Sequence, residues 1–208
     1  MRHYLNTALK GKSDNLGLTK YSVYFMFSVN RQTFKIKSRI MNKPYTEHEF
    51  AHINSMNNKF MAKDEEIINT CIERSINNGS GFLDIDHFKE LYAKSCTSIT
   101  FWLKDYIGNT PNRIMDEFMY GENEQSQLEN KLINLEQKHE IDRFSVLSYL
   151  NKFNHHFGND VNIIRHLLVY DWLNNKARQE FTSFCNKIKI PSDHSGLLDF
   201  IDDLVAII

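Results

Sequence analysis

Two short stretches carry residue types at spacings that could do chemistry. The first is Lys35, Lys37 and Arg39, alternating with Phe34, Ile36, Ser38 and Ile40. Strand side chains have a period of two, so the three cations would stand about 6.6 Å apart on one face, comparable with the separation of successive phosphates on a nucleic-acid strand. The second is His48-Glu49-Phe50-Ala51-His52, which has the form H-E-x-x-H. On a helix its two histidines lie one turn apart and could share a zinc ion, with Glu49 as general base on a metal-bound water.

The two differ in their surroundings. Glu47 precedes the histidine pair and Asn54, Ser55, Asn57 and Asn58 follow it, which makes a wet helix. No H-x-x-G-x-x-H extension or obvious third ligand follows, so two surface histidines on an exposed helix account for the motif without metal. The basic stripe, by contrast, lies in a region of matching charge. Residues 1–45 hold nine cations and one anion, Asp14, a formal +8, while the whole chain carries −1 and the remainder therefore −9. A basic end on an acidic body suits a polyanion-binding arm, because local charge and not the total attracts phosphate. Lys20 and Arg31 join Lys35, Lys37 and Arg39 as candidate phosphate contacts, with Tyr21 and Tyr24 beside them.

Other candidates are poorer. Aligning Gly81 of Asn78–Phe88 with the invariant glycine of a calcium loop puts Ile76 and His87 where carboxylates are needed, and Asp84 serves better as a helix cap. His155-His156 near Asp160 reads as a surface pair at a helix end. No glycine-rich phosphate loop or nucleophile elbow occurs, so no cofactor is expected. Cys71, Cys96 and Cys185 are odd in number and widely spaced, as reduced thiols of a cytoplasmic protein would be. No apolar run reaches the roughly 18 residues of a membrane span, so no membrane partner is expected.

The elements that must position these residues follow from periodicity. Residues 20–40 read as a hairpin turning near Asn30-Arg31-Gln32, with His3-Tyr4-Leu5 as a short strand before it. From Thr46 the period becomes helical. Thr46 and Glu49 form a capping-box pattern, Asp84 caps a helix to about Lys94, and helices follow at Thr97–Ile107, Glu124–His139, Asp142–Phe157, Val161–Lys187 (splitting near Asn174-Asn175) and Leu197–Ile208. Trp102 and Trp172 fall on apolar faces as core residues. The expected class is α+β: a small N-terminal antiparallel sheet (1–45), then a helical region (46–120) and a C-terminal helical bundle (121–208), either separate with a seam at Gly121–Glu124 or one continuous domain.

The order of these pieces carries a resemblance. Tyr21-Ser-Val-Tyr-Phe and Phe34-Lys-Ile-Lys-Ser-Arg-Ile are followed by a helical stretch through Glu65-Glu-Ile-Ile-Asn-Thr-Cys-Ile-Glu and then Phe82-Leu-Asp-Ile-Asp-His-Phe-Lys-Glu-Leu-Tyr92. Over roughly residues 1–107 this resembles the arm-type DNA-binding region, and the start of the core-binding helices, of tyrosine recombinases (integrases) of Bacteroides-like mobile elements. The resemblance implies a small sheet that docks on duplex DNA, with Lys20, Arg31, Lys35, Lys37 and Arg39 as contacts. The catalytic Arg, Lys, His-x-x-Arg and Tyr of that family have no counterpart, since His166 has no arginine three residues on. What is implied is a non-catalytic relative or fragment, of a mobile element or phage, that binds DNA or a recombinase without cutting. Two further readings stand beside it: a helical interaction or inhibitor protein whose acidic body meets a host protein, and the zinc hydrolase on His48, Glu49 and His52.

Overall fold

The computed structural model describes residues 2–9, 11–13, 15, 17–55, 59–76, 81–105, 107, 124–157, 167–188 and 194–208. The fold is α+β, a small N-terminal antiparallel sheet followed by a mostly helical body. It divides into two compact units, Met1–Cys96 and Thr97–Ile208. Within the first unit the basic sheet shares a core with the three helices that follow it. The seam expected at Gly121–Glu124 falls, up to Asn123, outside the described residues.

In the first unit, β1 (Arg2–Leu5), β4 (Val23–Val29) and β5 (Gln32–Lys37) form a three-stranded antiparallel sheet with β4 in the middle. A separate ribbon pairs β2 (Lys12–Ser13) with β3 (Thr19–Lys20). The hairpin loop is the two residues Asn30 and Arg31, because Val29 pairs with Gln32. Both have positive φ, 47° and 65°, as a two-residue type I′ turn requires. Asn tolerates that region and Arg31 does so at a cost. The Asn30 side chain fastens the turn by donating to the Gly81 carbonyl.

Alternation sends Val23, Phe25 and Phe27 of β4 inward, where they are at most 3% exposed. They meet α2 (Lys59–Ser75) and α3 (Ile85–Ser95), whose inward residues include Ile67, Ile68, Cys71, Phe88 and Tyr92. The aromatic rings interlock: Phe25 lies edge-on to Tyr92 at 5.5 Å and Phe27 lies 5.3 Å from both Phe34 and Phe88. A short helix, α1 (Glu47–Ser55), lays Phe50 and Ile53 against Val23, Met41 and Met61.

Local signals set these boundaries. The Thr46 N–H donates to Glu49 Oε2 (2.8 Å) and the Glu49 N–H to Thr46 Oγ1 (3.2 Å), a reciprocal capping box. Asp84 Oδ1 accepts from the N–H groups of Asp86 and His87 (3.1 and 3.0 Å) and starts α3.

The described part of the second unit is mostly helical, with α4 (99–105), α5 (Glu124–His139), α6 (Arg143–Phe157), α7 (Val169–Leu173), α8 (Lys176–Ile188) and α9 (His194–Ile207), and an isolated antiparallel bridge joins Ser98 to Leu168. The expected long helix does split, at Asn174 and Asn175, where Asn175 has a φ of 60°. The core is apolar and continuous, with Leu132, Leu150, Phe153, Phe181, Phe200 and Leu204 all at 0–1% exposure. Trp172 is buried at its heart and Trp102 lies against it. No described helix is long and apolar enough to cross a membrane.

Candidate nucleic-acid interface

The face of the sheet opposite the core is built by strand register. Met26 is paired with Arg2 on one side and Lys35 on the other; Tyr24 is paired with Tyr4 and Lys37. Residues directly opposite across strands project to the same side. Two rows result, Arg2–Met26–Lys35 and Tyr4–Tyr24–Lys37, with Ser28 and Thr33 forming a third pair whose hydroxyls are 3.0 Å apart. Arg2, Lys35 and Lys37 are exposed, while Tyr4, Tyr24 and Met26 are half-buried between them. The rings of Tyr4 and Tyr24 are 6.1 Å apart and tilted. Burial, and then the neighbouring Tyr24, push the Tyr4 phenol up, so it keeps its O–H. None of the three strands contains an aspartate or glutamate.

The expected contact residues are only partly brought together. Lys35 and Lys37 share the outer face as expected. Arg39 does not continue their strand, because β5 ends at Lys37. The reason lies at Ser38, which is 1% exposed and turned inward. Its hydroxyl donates to Asp64 Oδ2 (2.6 Å) and accepts the Met41 N–H (2.9 Å), closing a turn in place of another pair of strand residues. Arg31 stands at the hairpin tip. Lys20 sits in the β2–β3 ribbon opposite Lys12, four residues before Tyr24. Arg2 and Tyr4, brought in by β1, complete the face; their distance along the chain from the hairpin hid them, although the short strand itself was legible.

Behind the face lies a polar cluster that the sequence reading missed. Asp64 of α2 is wholly buried. Its carboxylate accepts from His3 Nε2 of β1 (3.0 Å), from Ser38 Oγ just past β5 (2.6 Å) and from Tyr92 Oη of α3 (2.5 Å). Tyr92 Oη in turn accepts the Arg39 N–H (2.9 Å). A single carboxylate on α2 thus ties together β1, the turn after β5 and α3. Two of the three ties adjoin a cation: His3 follows Arg2, and Ser38 lies between Lys37 and Arg39. Burying a charge is tolerated only where hydrogen bonds replace water, and three donors do so here. A signal did exist, because Asp64 falls on the Met61–Ile68–Cys71 stripe of α2 at helical spacing.

The remaining candidates are placed as follows. His48 and His52 lie on exposed positions of α1, and the Glu49 carboxylate is engaged at the helix N-cap. No cluster of three or more His, Cys, Asp or Glu side chains with metal-binding geometry occurs among the described residues. Burial pushes the thiols of Cys71, Cys96 and Cys185 up, that of Cys185 to about 11, so they stay protonated and poor nucleophiles at neutral pH. His155 is exposed; Asp160, His166 and residues 78–80 of the calcium-like loop lie outside the described residues.

No family model, curated protein or solved structure matches the chain.

Proposed function

We propose that this chain is a non-catalytic DNA-binding protein of a mobile element or phage, and that its first unit engages duplex DNA through the outer face of the β1–β4–β5 sheet. The observation that carries the reading is the composition of that face: three cations on the outer strands, an aromatic and thioether centre, and no acidic residue in any of the three strands.

The dimensions agree. Three strands with two gaps of about 4.8 Å set the edge strands about 9.6 Å apart, so that cations on them can reach phosphates on either side of a major groove about 12 Å across. Lysine and arginine at the two edges meet phosphates with charge-assisted bonds, and the sheet between them faces the base edges. The resemblance to recombinase arm regions supports the same docking. Charge distribution supports it as well, because residues 1–96 carry a formal +4 and residues 97–208 a formal −5.

The test is a low-salt titration of the full chain against random-sequence duplex and single-stranded DNA. Binding to duplex that weakens steeply with added salt is expected; no binding to duplex at low salt would overturn the proposal.

A further inference from the structure

We infer that the middle strand gives this surface its sequence preference, by placing Met26 and Tyr24 against thymine methyl groups on the floor of the major groove. The inference rests on the duplex reading above and adds the chemical feature that is read.

Charge on the three strands sits at the two edges of the sheet. Arg2 stands on β1 and Lys35 and Lys37 on β5, which are the two edges of the sheet. When a three-stranded sheet lies along a groove, its edges meet the phosphate walls and its middle strand meets the base pairs. Phosphate contacts fix position without reading sequence, whereas contacts to base edges specify it. The reading strand is therefore β4, whose outward residues are Tyr24, Met26 and Ser28.

Those three side chains exclude the bidentate readouts. Bidentate recognition of guanine needs Arg or Lys, and of adenine Asn or Gln, and the outward side of β4 carries none of the four. Met26 instead offers an unbranched, polarisable apolar chain at the centre of the face, between two cations. Tyr24 adds a ring edge beside it, and Tyr4 flanks that ring 6.1 Å away. In the major groove the one apolar feature among the four bases is the C5-methyl of thymine. An apolar centre between cationic edges is the complement of a thymine-bearing groove between two phosphate rows.

The experiment compares an alternating A·T duplex with the same duplex in which uracil replaces thymine, removing the methyl and keeping charge and pairing. Wild-type protein should bind the thymine duplex more tightly, by about fourfold for each methyl contacted. Met26→Gln and Tyr24→Ser should each shrink that ratio toward one while leaving the salt slope unchanged, with far-UV circular dichroism showing an intact fold. Arg2→Gln/Lys35→Gln/Lys37→Gln should do the reverse, lowering the slope and keeping the ratio. Equal binding of thymine and uracil duplexes by the wild type would overturn the inference while the duplex reading stands, as would a ratio that survives both β4 substitutions. Preference for single strands over duplex, or no binding at all, would overturn both.

Discussion

In the Met1–Cys96 unit the deepest polar group is a carboxylate, Asp64, closed off from solvent and held by donors from β1, α3 and the turn after β5. In the Thr97–Ile208 unit the apolar core is hydrocarbon and aromatic ring, and the buried charge among its described residues, Arg143, pairs with glutamates that reach water. Arg143 itself is only 6% exposed. It lies at the start of α6 and reaches Glu129 (2.8 Å) and Glu136 (2.6 Å) of α5, each of which keeps about a quarter of its side chain in water. Trp172 Nε1 and Arg178 likewise meet Asp202 at the edge of α9. The two units place their polar groups differently. A buried network fixes particular backbone atoms, here those beside Arg2, Lys37 and Arg39, and so holds a surface in shape. A hydrocarbon core holds helices together without specifying any one exposed side chain.

That contrast can be broken from either side. The largest effect is expected at Asp64→Ala, which strands three buried donors and should cost about 3–5 kcal/mol. Native-state hydrogen exchange would locate the loss in the amides of β4, α2 and α3, and the fluorescence of Trp102 and Trp172, the chain's two tryptophans, would report the second unit separately. Arg143→Met should cost less, about 1–3 kcal/mol in urea unfolding followed by that fluorescence, because Glu129 and Glu136 can turn to water. An equal or larger loss at Arg143 would erase the distinction between a buried network and a marginal one. Asp84→Ala removes a helix cap from α3 and should cost about 1 kcal/mol.

The smallest and most gradual effect is with pH. Hydrogen bonds from Lys138 and His139 hold Asp203 below the usual carboxylate range, and the Ser145 hydroxyl and N–H do so for Asp142. Burial alone pushes Glu136 up, but hydrogen bonds and charge from Arg143 bring it below its ordinary value. A carboxylate with a depressed folded-state pKa contributes its full stability above the unfolded range, and loses it as pH falls through the folded value. The second unit should therefore lose stability in acid, below about pH 4.5, with no such loss from pH 5 to 7. Melting temperatures followed by tryptophan fluorescence should fall over that lower range, and Asp203→Asn should make the fall shallower.

The two units also differed in how far the sequence disclosed them. Periodicity and caps showed the helices of both: Thr46 with Glu49, Asp84, and the break at Asn174-Asn175 all act as their residue types suggest. The hairpin was legible because alternation is local, and its turn fell where Asn30 and Arg31 take positive φ. Register with β1 was not legible, since nothing near Arg2 and Tyr4 names Met26 and Tyr24 as partners. Nor was the end of β5. The pattern Lys35, Lys37, Arg39 continues past Lys37, but the strand stops because Ser38 bonds to an aspartate 26 residues away. Asp64 itself was obscured by its neighbours, Glu65 and Glu66, with which it reads as an exposed acidic run.

The most direct measurement for the proposed DNA face is the slope of log K against log salt on duplex DNA. It should be taken for wild type, for Arg2→Gln/Lys35→Gln/Lys37→Gln, and for a control, Lys104→Gln/Lys131→Gln/Lys187→Gln, in the second unit. The sheet variant should be shallower than wild type by up to roughly 2.7, three phosphate contacts at 0.9 each, and the control should match wild type. An unchanged slope in the sheet variant, or an equal drop in the control, would contradict the assignment of DNA binding to the outer face of the sheet.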